Sequence, residues 1–155
     1  MKLVDQARAA LQTASGNFRL EIAESAQRLT CDISALDSLA CAFTSFTLSS
    51  NIVANLTADQ LKRLGEKLAA RLTYLLEPIR PIEFDHEQSI LQMRSSPPDR
   101  DEESTSYYEL VARRDGTLSL CRYAKRPGDV RQAIPVNVTR EVFFRLVGDF
   151  SAAVA

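Results

Sequence analysis

YYELVARRDGTLSLCRY, residues 107–123, sets three tyrosines and three arginines around an Asp-Gly turn. Its strand register decides whether the segment builds a core or presents a basic, aromatic surface. A two-residue Asp115-Gly116 turn pairs Arg114 with Thr117 and mixes apolar with charged side chains on both faces. A three-residue Arg114-Asp115-Gly116 loop, with Gly116 left-handed as a G1 bulge, pairs Arg113 with Thr117 instead. Side chains then sort by polarity. Tyr108, Leu110, Ala112, Leu118 and Leu120 share one face; Tyr107, Glu109, Arg113, Thr117, Ser119 and Tyr123 share the other, with Val111 and Cys121 among them. A one-residue slip turns one strand over relative to the other, so the segregating register is the expected one. It sets Tyr107 opposite Tyr123, a stabilising cross-strand pair. It also leaves Arg122 at the rim of the apolar face, with its stem packed and its guanidinium in water.

Upstream, IEFD (82–85) and SILQMR (89–94) read as a second hairpin through His86, Glu87 and Gln88. SSPPDRDEES (95–104) opens a polar loop that runs to about residue 105, because Pro97-Pro98 cannot donate to a ladder and the charge run favours solvent. A further strand is expected at about 130–136. Leu3, Val4, Ala7 and Leu11 predict a helix over 2–14, broken by Ser15-Gly16-Asn17. Alternation at Phe18, Leu20, Ile22 and at Leu29, Cys31, Ile33 favours strand over 18–34, although the intervening AESAQ suits a helix equally. Residues 39–48 read as a strand whose apolar phase shifts between Phe43 and Phe46, the mark of a bulge.

Thr57 and Gln60 fit a capping box, with Leu56 and Leu61 at the staple positions. Leu61, Leu64, Leu68, Leu72 and Leu75 then form one stripe, and Pro78 and Pro81 are expected to stop the helix. Thr139 caps a terminal helix carrying Val142, Phe143, Leu146, Val147 and Phe150. The order α-ββ-α-ββ-βββ-α predicts a single α+β domain over 1–155. It has an antiparallel sheet of about five to seven strands, with N-terminal, central and C-terminal helices packed mainly on one face.

Composition narrows the function. A net charge of -1 and a pI near 5.9 oppose a dedicated nucleic-acid binder. Residues 106–131 carry six cations against three anions, but no RNP1 pattern accompanies them, and Asp99, Asp101, Glu102 and Glu103 lie beside them. Asp5, Gln6 and Arg8 interrupt any signal-like apolar core at the start, and no apolar run reaches membrane-span length. Cys31, Cys41 and Cys121, an odd set without C-x-x-C spacing, read as core residues in a reducing compartment. The expectation is a soluble cytoplasmic protein with no membrane partner.

Catalytic, cofactor-binding and metal-binding residues are not identified. His86 is the lone histidine and is expected at an exposed turn; Glu83, Asp85 and Glu87 fit the solvent side of an edge strand. Neither G-x-S-x-G, G-x-G-x-x-G nor a P-loop occurs. Asn55-Leu56-Thr57 and Asn137-Val138-Thr139 match the glycosylation pattern, but each threonine is better placed as a helix cap. YLLEPIRPIEFD, RSSPP, YYEL, LSLCRY and TREVFFRLVGDF, within residues 74–150, resemble an uncharacterised bacterial family of planctomycete type. That resemblance implies no activity, cofactor or site. The element order is similar in part to the small α+β chaperones of type III secretion, acidic dimers that hold extended client segments; the strands after residue 105 depart from it.

These readings converge on a non-catalytic protein-interaction domain, adaptor- or chaperone-like, binding a protein partner or itself as a homodimer. Tyr107, Arg113, Tyr123 and Arg122 form the candidate interaction surface. The alternatives are a small-molecule-binding module, an enzyme using Tyr107, Arg113, Glu109 and His86, and nucleic-acid binding on the Tyr/Arg face.

Overall fold

In the computed structural model, which describes every residue but 52, 54 and 97, α1 (Leu3–Thr13) buries Leu3, Ala7 and Leu11. The ambiguous segment resolves as strand: β1 (Phe18–Glu24) turns through Ser25-Ala26 into β2 (Gln27–Leu36), and β3 (Ala40–Ser50) follows. The expected bulge is present. Asp32 pairs with Ser45 and Ile33 with Phe43, so Thr44 is the surplus residue that brings Phe43 and Phe46 to the same face.

Both halves of the capping box are formed at Thr57 and Gln60, and α2 (Ala58–Arg71) follows. Pro78 does not end it. The helix stops at Arg71, a single 3-10 turn covers Thr73–Leu75, and Leu76 takes a left-handed conformation at φ +67. The stripe nevertheless works as expected, with Leu61, Leu64, Leu68, Leu72 and Leu75 all buried. Next come β4 (Ile79–Asp85) and β5 (Ile90–Ser95), joined by a turn in which Asp85 accepts from the N–H groups of Glu87 and Gln88. Pro81 sits in β4, an edge strand, where its missing N–H removes no ladder bond that the sheet needs. The polar loop holds a strand fragment, β6 (Asp99–Arg100), paired with Ser106 and Thr105. Pro97, expected to be barred from the ladder, lies outside the described residues.

Thr105–Arg113 forms β7 and Leu118–Lys125 forms β8, in the three-residue register: Tyr107 faces Tyr123 and Ala112 faces Leu118. Arg113 N–H donates to the Thr117 carbonyl at 2.9 Å, and Gly116 holds φ +87. The last two strands are β9 (Gln132–Ile134) and β10 (Val136–Thr139), and α3 (Arg140–Ala153) starts at the Thr139 cap.

The sheet runs β1-β2-β3-β8-β7-β5-β4, and the ten antiparallel strands among the described residues exceed the expected five to seven by three short ones off that path. β8 pairs with β3 at residues 118–120 but with β9 at 122–124, while β10 pairs with the first residues of β3. The segment 132–139 is therefore a wedge between β3 and β8 where they diverge. Pro135, which has no N–H to give, marks its passage from one neighbour to the other.

An apolar row crosses six strands as Leu20, Cys31, Phe46, Leu120, Leu110 and Met93, all buried under the helices. Phe46 meets Phe150 and Phe143 edge-on, with ring centroids 4.8 and 5.9 Å apart. The neighbouring row, Glu21, Thr30, Thr47, Ser119, Val111 and Gln92, points to the opposite face, which no described helix covers. Polarity thus alternates across the sheet as its pleat requires.

Candidate interaction surfaces

The uncovered face has an ordered centre on β5, β7 and β8. Tyr107 and Tyr123 stand side by side with ring centroids 6.1 Å apart. Arg94 lies over Tyr107 at 4.8 Å and Arg131 over Tyr123 at 3.9 Å, so each ring carries a guanidinium. Glu109, 4% exposed, sits between them. Its carboxylate pairs with Arg131 at 3.0 Å and approaches Arg94 at 3.8 Å, and it accepts from the Gln92 amide. Arg131 also donates to the Tyr107 hydroxyl at 3.4 Å. That hydrogen bond, then Glu109, raises the Arg131 pKa above its ordinary value. A buried carboxylate between two cations is thereby neutralised in place. The expected register had placed Glu109 on this face, but nothing in KRPGDVRQ signals that Arg131 returns to meet it.

Three of the four expected surface residues, Tyr107, Tyr123 and Arg113, lie on this face, Arg113 exposed at its end. Arg122 does not. It keeps to the helix-covered face, as its alternation requires, but its guanidinium turns inward and the side chain is 13% exposed. It pairs with Glu77 at 3.0 Å, donates to Ser106 Oγ at 3.0 Å and lies 4.4 Å over the Tyr108 ring. Ser95 Oγ completes the cluster, donating to Glu77 at 2.8 Å while accepting from Tyr108 N–H at 2.9 Å. The rim position fails because the chain after the 3-10 turn brings a carboxylate over it, a contact that strand alternation does not encode.

Leu76, beside that cluster, is the second feature. It is 89% exposed and left-handed, a conformation in which a chain reversal after a helical turn ordinarily takes Gly or Asn. Leu75 on one side is buried and Glu77 on the other is held by Arg122 and Ser95. The leucine is thus fixed pointing outward at the rim of a groove of about 460 Å³, lined by Ala69, Ala70, Leu72, Pro78, Ile79 and Met93 among others.

His86 is exposed at the β4–β5 turn, its ring 4.6 Å from Phe84, and does not approach Tyr107 or Glu109. Glu83 and Asp85 occupy the edge strand on the uncovered face, whereas Glu87 lies in the turn. Among the described residues no three His, Cys, Asp or Glu side chains converge on a metal-binding geometry. No helix among them is long and apolar enough to cross a membrane. Burial pushes the Cys41 thiol up to about 11 and raises Cys31 and Cys121 as well. It also raises Tyr74, whose hydroxyl donates to Asp149 at 2.8 Å, and Tyr108.

Compared with family models, curated proteins and solved structures, the chain matches none.

Proposed function

We propose that the chain is a bacterial, cytoplasmic, non-catalytic protein-interaction domain, adaptor- or chaperone-like, that works as a homodimer. Leu76 carries this reading. Left-handed backbone costs a non-glycine residue about 1 kcal/mol, and here that cost presents a large apolar side chain to solvent. Strain held in place by anchored neighbours points to a contact that uses it. The groove beside Leu76 belongs to the same chain, so knob and hole are self-complementary. A two-fold axis seats each Leu76 in the other copy's groove, an isologous contact.

The titration shifts support the non-catalytic part. Cys31, Cys41, Cys121, Tyr74 and Tyr108 are all pushed towards their neutral forms, the opposite of what an activated nucleophile requires. Light scattering across a dilution series tests the dimer. The wild type is expected near twice the 17.2 kDa chain mass, and Leu76→Asp near the chain mass with an unchanged circular dichroism spectrum. A wild type that is monomeric at every concentration refutes it.

A further inference from the structure

We infer that the uncovered sheet face takes an extended acidic segment of a partner protein, laid along β7 between Arg113 and Arg131. This rests on the reading of the chain as a protein-interaction domain, and not on the Leu76 contact. The recipient is a concavity of about 290 Å³ floored by Val111, Ser119 and Cys121, with Ile90 and Arg113 towards one end and Arg131 towards the other. Three arginines border this region, Arg94, Arg113 and Arg131, against Glu109 as the carboxylate inside it. Glu109 is already shared by Arg94 and Arg131, and Arg113 has no anionic partner among the described residues. Positive charge is left over.

The acids of β4 do not cancel it at the same place. Glu83 and Asp85 lie beyond β5 at the sheet edge, and Asp85 already accepts from two N–H groups of its own turn. They confine an acidic occupant to the β7–β8 side by repelling it from the edge.

Spacing specifies the segment. Glu109, where Arg131 is anchored, and Arg113 are four residues apart on one strand, about 13 Å at ~3.3 Å per residue. An extended peptide matches that span with acidic side chains at positions i and i+4. The side chain at i+2 faces the same way and rests over Val111, so a small apolar residue fits there.

A nucleic acid would meet the same cations but lacks a stacking platform. Tyr107 is buried beneath Arg94, and Arg131 lies 3.9 Å over Tyr123.

Fluorescence anisotropy at low salt tests the assignment with three labelled probes on the intact protein. They are the nonapeptide Gly-Ser-Glu-Ser-Val-Ser-Glu-Ser-Gly, its Gln-for-Glu counterpart and oligo-dT of equal length. The acidic peptide is expected to bind, to weaken about tenfold with Arg113→Glu and to weaken in high salt. Arg63→Glu on α2 makes the same charge change away from this face and is expected to leave binding intact, as is Leu76→Asp. Equal binding of the Gln peptide, indifference to Arg113→Glu, or preference for oligo-dT overturns the inference. If the acidic peptide fails to bind while the protein stays dimeric, the inference alone falls. If the protein is also monomeric, the interaction-domain reading falls with it.

Discussion

Replacing Gly116 with alanine asks the backbone to hold φ +87 with a side chain attached, and asks that side chain to occupy filled space. The conformational part costs about 1 kcal/mol. The steric part is larger. A Cβ at Gly116 falls 2.6 Å from the Val53 carbonyl oxygen and 3.2 Å from Val53 Cβ. The closest atom is backbone, so no rotamer change relieves it. Val53 must move, yet Leu56, three residues after it, is tied to this hairpin by its N–H donating to the Arg114 carbonyl at 3.1 Å. Overpacking of this kind costs about 1–3 kcal/mol, so Gly116→Ala is expected to lose about 2–4 kcal/mol in all. Gly128 separates the two parts. It holds φ +82 with nothing within 4 Å of an added Cβ, so Gly128→Ala is expected to lose only about 1 kcal/mol. Guanidinium unfolding at constant m-value measures both losses, and in thermal scans each kcal/mol lowers Tm by about 2–4 °C at this chain length. Equal losses for the two variants would show that the segment through Val53 does not press on the turn.

Two further outcomes follow from the buried ionisable groups. Cys41 is raised from 9.0 to about 11 and Cys31 is raised further, so the unfolded chain releases thiol protons that the folded chain keeps. Stability is then independent of these thiols below pH 9 and falls above it, by about 1.4 kcal/mol per pH unit for each thiol; denaturant midpoints that stay flat from pH 9 to 10.5 would contradict this. Glu77→Gln removes the partner of a mostly buried Arg122. It is expected to cost about 2 kcal/mol or more and to weaken the proposed dimer by loosening Leu76, whereas an unchanged dimerisation constant would show that Leu76 is held without Glu77.

Local chemistry made much of the fold legible. The 107–123 register follows from polarity sorting, since a one-residue slip would place Arg113 and Glu109 opposite the leucines. The caps at Thr57 and Thr139 are short-range patterns, and both form. The end of α2 is not local in this sense. Pro78 set an outer limit, but the chain leaves the helix after Arg71, where the 3-10 turn carries Leu75 into the core. The wedge of 132–139 depends on β3 and β8 diverging, which no single segment encodes. The same holds for the site. Strand alternation placed Tyr107, Tyr123 and Arg113 on one face, whereas the inward turn of Arg122 needs Glu77, more than forty residues away in sequence. Leu76 gave no signal, because an exposed leucine is remarkable only once its backbone angle and its neighbours' anchoring are known.

Oxidative cross-linking tests the proposed dimer contact at Leu76 most directly. In a Cys121→Ser background the remaining native thiols, Cys31 and Cys41, are buried. Cysteines are introduced at Leu76 and at Ala70 on the groove wall, singly and together. An isologous contact that seats Leu76 in the partner's groove is expected to give covalent dimers from the double variant, and far fewer from either single one. A double variant that stays monomeric under oxidation, or single variants that cross-link equally well, would contradict it.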